Sequence, residues 1–124
     1  KKLKKTRCWY IGIATNKSRI ALDNGLEKHN LSEIFDITLT TDEINPKPSP
    51  DMALIAMKKL NVEKNSTLII GDTTNDMGLG VNANITSIGV AWGYNNEEML
   101  RSSGANLIVY NADELYKYLK KKIH

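Results

Sequence analysis

The sequence is poor in cysteine and in long apolar runs, and each shortage excludes a class of protein. Its 124 residues include one cysteine, Cys8, so no internal disulfide can form. No apolar run approaches the roughly 18 residues that a membrane-spanning helix requires, and no cleavable leader pattern occurs in these residues. We interpret the chain as cytoplasmic, with Cys8 as a small apolar residue at the start of a buried strand.

Basic residues are scarce outside the two ends of the chain. Nine of the 17 lysines and arginines lie in residues 1–7 and 117–122, which leaves eight against 14 acidic residues in between. The central part therefore carries about −6, and a nucleic-acid surface is not indicated. The basic ends are interpreted as solvated helix ends, where lysines also complement the helix dipole.

The composition is that of one globular domain, because 41% of the residues are hydrophobic and 25% are charged. We therefore treat residues 1–124 as a single domain. Strand and helix patterns alternate along it, which predicts an α/β fold in which helices cover both faces of a parallel sheet. The predicted strands span residues 9–14, 36–40, 67–70, 86–90 and 107–109, and the predicted helices span 18–29, 50–60, 74–83, 95–104 and 112 onward.

The most informative segment runs from Leu68 to Asp76 and reads L-I-I-G-D-T-T-N-D. An apolar run breaks at Gly71, and two carboxylates follow, four residues apart, where a helix should begin. Ligands in open α/β sheets collect beyond the carboxyl ends of strands. Mg²⁺ takes a few oxygen ligands there and keeps several waters. Asp72 is the better-placed ligand, whereas Asp76 is expected to hold a metal-bound water or a nearby lysine; the alternative is that Asp72 only caps a helix.

Two other polar sites follow apolar runs. Thr15 and Asn16 come directly after the strand at 9–14, and Lys47 lies between Pro46 and Pro48, after the strand at 36–40. Thr15 and Asn16 alternatively form only a turn and a helix cap. The flanking prolines restrict the backbone around Lys47 and favour a placed charge over a loose surface lysine.

Two later segments carry structural predictions. Asn84 follows the helix at 74–83, where asparagine suits a left-handed helix end. Trp92 and Tyr94 follow the strand at 86–90, and we expect these rings to pack against the fold rather than to line a pocket.

The order of these segments resembles the haloacid dehalogenase-like hydrolases, particularly their phosphoglycolate-phosphatase-like branch. In that family a serine or threonine binds the transferred phosphoryl group, a lysine neutralises it, and a G-D-x-x-x-D segment holds Mg²⁺. The matching positions are Thr15, Lys47, Asp72 and Asp76. The likeness continues through residues 88–95 and the Gly-Ala-Asn at 104–106, and so covers nearly the whole chain.

The resemblance implies a Mg²⁺-dependent phosphatase that acts on a small phosphorylated metabolite through an aspartyl-phosphate intermediate. It also implies a three-layer Rossmann-like core. Thr15, the backbone amide of Asn16 and Lys47 would bind the phosphate. Lys47 and Asp72 would be the catalytic residues of this chain, and Asp72 would hold the metal, with Asp76 acting through a metal-bound water.

The family's first motif, D-x-D-x-T, supplies the nucleophile and the general acid, and it does not occur in these residues. We therefore expect the chain to be the carboxyl-terminal part of a longer hydrolase. The first core strand and a helical cap domain would precede Lys1, and the chain alone is expected to be inactive.

Two rival interpretations come from other classes of protein. A phosphate-accepting receiver module also has an aspartate after an apolar strand and a Lys-Pro segment. In receivers, however, an acidic pair comes first and the lysine last, whereas Lys47 here precedes Asp72. The other rival is a regulatory paralogue that binds metal or phosphate without turnover. Codons upstream of Lys1 that encode D-x-D-x-T would favour the enzyme.

Overall fold

The computed structural model describes residues 9–123, and strands and helices alternate along them as the sequence predicts. Because every paired strand is parallel, the predicted α/β class is confirmed. No helix among the described residues is long and apolar enough to cross a membrane. The elements are β1 Gly12–Ala14, α1 Arg19–Lys28, β2 Ile37–Leu39, α2 Asp51–Leu60, a 3₁₀ turn Lys64–Ser66, β3 Leu68–Gly71, α3 Thr74–Ala83, β4 Thr86–Val90, α4 Glu97–Ser102, β5 Leu107–Val109 and α5 Ala112–Ile123.

The strands form two separate parallel sheets. One contains β1 and β2, and the other has the order β3–β4–β5. Within residues 9–123, nothing pairs with the second edge of β1 or with the second edge of β3.

The open edges coincide with incomplete burial. Strand β4 pairs on both sides, and four of its five residues are buried. Ile70 of β3, by contrast, is 38% exposed, and Tyr10, just before β1, is 53% exposed. The prediction of a strand at 9–14, buried on both faces, is therefore wrong in its length and its burial. The Ile11 amide bonds to the Asp36 carboxylate (2.8 Å) and not to a neighbouring strand.

One apolar cluster joins the two sheets. Helix α2 packs against β1, β2 and α3, and α3 in turn packs against β3 and β4. Met52 of α2 and Leu79 of α3 are almost completely buried in this cluster. Burying one side chain of this size contributes about 1.5–3 kcal/mol to the stability of the fold. The contact between α2 and α3 therefore holds together two sheets that share no strand pairing within residues 9–123.

The helix that follows the Asp72 turn begins and ends where the sequence predicts. The Thr73 hydroxyl accepts from the Asp76 amide (3.2 Å), and the Asp76 carboxylate accepts from the Thr73 amide (3.2 Å), which forms a capping box. Asn84 ends α3 in the left-handed region (φ 60°, ψ 44°), as predicted. At α2 the Ser49 hydroxyl accepts from the Asp51 amide (3.2 Å), although regular helix begins one residue later than expected.

Arg19 covers the outer edge of β2. Its guanidinium donates to the Thr38 carbonyl (2.9 Å) and to the Thr38 hydroxyl (2.7 Å), and it also donates to Glu43 (3.2 and 3.3 Å). The Glu43 carboxylate accepts in addition from the Thr40 hydroxyl (2.8 Å). Hydrogen bonds from Arg19, and then from the Thr40 hydroxyl, lower the pKa of Glu43 below its ordinary value of 4.5.

This lowered pKa makes the contribution of Glu43 to stability depend on pH. A carboxyl whose pKa is lower in the folded state stabilises the fold above its unfolded pKa, and that contribution is lost as the pH falls through the folded pKa. We expect Glu43→Gln to lower the free energy of unfolding of the whole protein at pH 7. The difference from wild type should shrink towards zero below pH 4.5. Urea titrations at several pH values measure this, with exposed Glu27→Gln as the control; a constant difference down to pH 3 would contradict the prediction.

Candidate functional site

The polar residues singled out from the sequence lie at the carboxyl ends of the strands. Thr15 and Asn16 follow β1, Asp72 follows β3, and Lys47 belongs to the loop that enters α2. Because neighbouring parallel strands point the same way, their carboxyl ends share one edge of the fold. Hydrogen bonds show which of these residues are in contact.

Two reciprocal hydrogen bonds join Asn16 to Lys47. The Lys47 amide donates to the Asn16 side-chain oxygen (2.9 Å), and the Asn16 side-chain nitrogen donates to the Lys47 carbonyl (3.3 Å). The Lys47–Pro48 peptide bond is cis. The Asn16 side chain therefore fixes the lysine loop, a role that the sequence did not suggest for it.

The Lys47 ammonium forms an ion pair with the Asp76 carboxylate. Only 11% of the lysine side chain and 9% of the aspartate side chain are exposed. The second Asp76 oxygen accepts from the amide (3.2 Å) and the hydroxyl (2.9 Å) of Thr73. A charge this buried is retained when it is paired, and an ammonium has two further donors for another acceptor. The sequence predicts either a metal-bound water or a lysine as the partner of Asp76, and in the structure that partner is Lys47.

Asp72 is held by the loop that follows β4. Its Oδ2 accepts from the Tyr94 amide (2.9 Å), and its carbonyl accepts from the Asn95 amide (2.9 Å). Gly93 lies so close that a Cβ built on it would be 2.2 Å from the Asp72 Cβ. The other carboxylate oxygen, Oδ1, has no hydrogen-bond partner among residues 9–123.

Thr15 keeps its hydroxyl proton for another acceptor. Its Oγ1 accepts from the Lys17 amide (3.1 Å), and its own amide bonds to the Leu39 carbonyl (3.1 Å). Within the described part of the chain, the Asn16 amide has no acceptor. Two donors therefore remain at the end of β1, next to the lysine loop.

These residues fit a hard cation better than a soft one. Among residues 9–123, no group of three or more histidine, cysteine, aspartate or glutamate side chains could enclose a metal ion. What the chain offers is the free Oδ1 of Asp72. One carboxylate suits Mg²⁺, which takes its remaining ligands from water and phosphate, and does not suit a closed zinc site.

The prediction that the Trp92 and Tyr94 rings pack against the fold is wrong. Their side chains are 51% and 83% exposed. The reason is that the backbone of this loop, through Gly93 and the Tyr94 amide, makes the contact with the Asp72 turn. The two rings are left in solvent beside the site.

The contact between Gly93 and Asp72 gives a prediction with a matched control. Gly93→Ala should destabilise the whole protein by about 1–3 kcal/mol, the usual cost of overpacking. Gly25→Ala should instead stabilise it by up to about 1 kcal/mol, because nothing lies within 4 Å of its position in α1. Thermal unfolding of both variants measures the difference, and equal midpoints would contradict it.

Known proteins match this chain over most of its length. A family model described as haloacid dehalogenase-like hydrolase matches residues 1–90. The "Probable phosphatase IndB" of Dickeya dadantii is 32% identical over 114 residues, which cover 91% of this chain and 50% of that protein. The pyrophosphatase PpaX of Oceanobacillus iheyensis is 30% identical over 106 residues, which cover 85% of this chain and 50% of that protein. The chain thus spans half the length of these curated relatives.

A solved structure agrees with the sequence matches. The crystal structure of "a predicted phosphatase" from Clostridium acetobutylicum superimposes with a TM-score of 0.82 and 31% identity. The superposition covers 97% of this chain and 56% of that chain. The shared fold therefore includes both sheets described above.

Proposed function

Since the chain belongs to the haloacid dehalogenase-like hydrolase family, we propose that the whole protein is a Mg²⁺-dependent phosphatase that hydrolyses a phosphate monoester. The main support is the buried ammonium of Lys47, which hydrogen bonds hold at the edge where the β1 and β3 loops meet. Phosphoryl transfer depends largely on placing cationic groups and donors around the transferred oxygens. A fixed lysine beside free donors suits that task.

Each residue has a separate role in this proposal. The Thr15 hydroxyl and the Asn16 amide donate to two phosphoryl oxygens, and the Lys47 ammonium neutralises their charge. Asp76 holds Lys47 in place, and Asp72 holds the metal through Oδ1. Bound Mg²⁺ would offset the negative charge that keeps a carboxylate nucleophile from the phosphate.

The nucleophile is proposed to lie on a strand outside the described residues, between β1 and β3. The support is that, within residues 9–123, these two strands each present an unpaired edge and that Ile70 and Tyr10 are partly exposed. An aspartate at the end of that strand would attack phosphorus, and the bond from phosphorus to the leaving alcohol would break. Water would then release inorganic phosphate from the aspartyl phosphate.

We further propose that residues 1–124 form part of one core domain, that the substrate is a small phosphorylated metabolite, and that the enzyme works in the cytoplasm. Phosphoglycolate, sugar phosphates, nucleotides and pyrophosphate are the classes to test. The relatives named as a phosphatase and a pyrophosphatase favour this range without selecting within it.

The test is a phosphate-release assay on the whole purified protein with these four classes, each with Mg²⁺ and with EDTA. We expect turnover of at least one substrate that depends on Mg²⁺. Residues 1–124 alone should release no phosphate. The absence of turnover in every class, together with measurable binding of Mg²⁺, would instead favour the regulatory paralogue.

A further inference from the structure

Asn95 is one of four buried polar residues in the described part of the chain, and only 9% of it is exposed. It lies in the loop between β4 and α4. Its amide donates to the Asp72 carbonyl, and its side-chain oxygen accepts from the Thr74 amide, both at 2.9 Å. Asn95, in the loop after β4, therefore bonds to the two successive peptide groups that follow Asp72, one through its carbonyl oxygen and the other through its amide.

Asn95 and the preceding Tyr94 together form what we call the clasp. It consists of three hydrogen bonds: two join Asp72 to the amides of Tyr94 and Asn95, and one joins Thr74 to the Asn95 side chain. The Tyr94 amide donates a hydrogen bond to Oδ2 of Asp72. Oδ1 is therefore the carboxylate oxygen that has no partner among residues 9–123. Asn95 fixes the backbone that follows this side chain, through the Asp72 carbonyl and the Thr74 amide. The clasp therefore sets both the position of the turn and the orientation of its carboxylate.

Neither neighbouring helix uses the Asn95 side chain as its N-cap. Helix α4 is capped by the next residue, Asn96, whose side-chain oxygen accepts from the Met99 amide (2.9 Å). Helix α3 has its own capping box through Thr73 and Asp76. The amide of Thr74, at the first position of α3, is one of the donors that a helix leaves without an internal partner. Asn95 supplies that partner from the loop after β4.

We propose that Asn95 is a positioning residue that aims the Asp72 carboxylate at the cation. This inference rests on the proposed role of Asp72 as a Mg²⁺ ligand. Outer residues that orient a metal ligand typically contribute about 10–100-fold to metal affinity. Asn95 acts on the ligand through the two peptide groups that follow it, and it is not itself proposed as a metal ligand.

The test is calorimetric titration of the whole protein with Mg²⁺ in the absence of substrate. Asn95→Leu removes the acceptor at similar side-chain volume and should raise the Kd for Mg²⁺ about 10-fold or more. Asn96→Leu is the matched control, since it removes the cap of α4 and does not touch the Asp72 turn. Its Kd should stay within about twofold of wild type even though its melting temperature falls.

A second variant removes the same bond from the other side. Thr74→Pro deletes the donor, and proline is well tolerated at the first position of a helix. Thr73, which precedes it, already has the extended conformation that proline requires (φ −125°, ψ 158°). This variant should fold and should also raise the Kd for Mg²⁺, so the proposal stays testable if Asn95→Leu does not fold.

Asp72→Asn separates failure of this inference from failure of the proposed function. If Asp72→Asn abolishes Mg²⁺ binding and Thr74→Pro binds as wild type does, the role of Asn95 is wrong and the metal assignment stands. An equal loss of affinity in Asn96→Leu would also overturn the role of Asn95, since it would show a general effect of destabilisation. If Asp72→Asn binds Mg²⁺ normally, the metal assignment itself is wrong.

Discussion

Replacing Lys47 by alanine in the whole protein should lower kcat for the best phosphate monoester by about 10²–10³-fold or more, the range found when one charge-stabilising donor is removed from an active site. The structure holds this lysine, by its backbone and its ammonium, at the meeting point of the β1 and β3 loops. Steady-state kinetics at saturating Mg²⁺ measure the loss.

Lys47→Ala also leaves the Asp76 carboxylate buried without its partner, and breaking a buried pair typically costs about 3–5 kcal/mol. Lost activity must therefore be separated from lost folding. The double variant Lys47→Ala with Asp76→Ala removes both charges and should regain part of the stability without regaining activity. Lys59→Ala, on the exposed side of α2, is the control for the loss of a positive charge. A folded Lys47→Ala protein with kcat within about threefold of wild type would refute the role of Lys47.

Asp72→Asn should raise the Mg²⁺ concentration needed for half-maximal turnover by at least about 10-fold. The carboxamide keeps the shape of the side chain and can still accept from the Tyr94 amide. It loses the negative charge that a hard cation requires. Titrating turnover with Mg²⁺ from an EDTA-treated sample gives the half-saturation value directly.

Asp113→Asn is the matched control for this charge change, because Asp113 lies on α5 in an exposed ion pair with Lys117. It should leave the half-saturation concentration unchanged. If the two variants respond alike, the metal does not depend on Asp72. If Asp72→Asn lowers kcat at every Mg²⁺ concentration with an unchanged half-saturation value, Asp72 serves turnover in some way other than metal binding.

Local signals in the sequence located the helices well. The helix at 74–83 and its left-handed end at Asn84 are both predicted from residues close together in the sequence, and the structure has both. Strand lengths were predicted less well, because a strand's extent depends on its neighbours. The strand expected at 9–14 shrinks to Gly12–Ala14, where it pairs on one side only.

The candidate residues could be named from the sequence, but their supports could not. Asn16 reaches Lys47 across 31 positions, and Asn95 reaches Thr74 across 21. Nothing within either segment shows such a partner, and the sequence alone predicts that Asn95 begins a helix. One signal was available. Asn95 and Asn96 are consecutive, and a helix needs only one cap, so the other amide was free for a tertiary bond.

The unequal pairing of the strands implies unequal protection against hydrogen exchange. Amides of β4, which is flanked on both sides and buried, should exchange slowest, whereas those of β1 and β2 should open first. A phosphate bound by Lys47, together with the Mg²⁺ proposed on Asp72, would link the fast-opening sheet to the slow-opening one. Binding of this ligand would then slow hydrogen exchange in β1 far more than in β4. The order of the first sheet would therefore rise as the site is saturated.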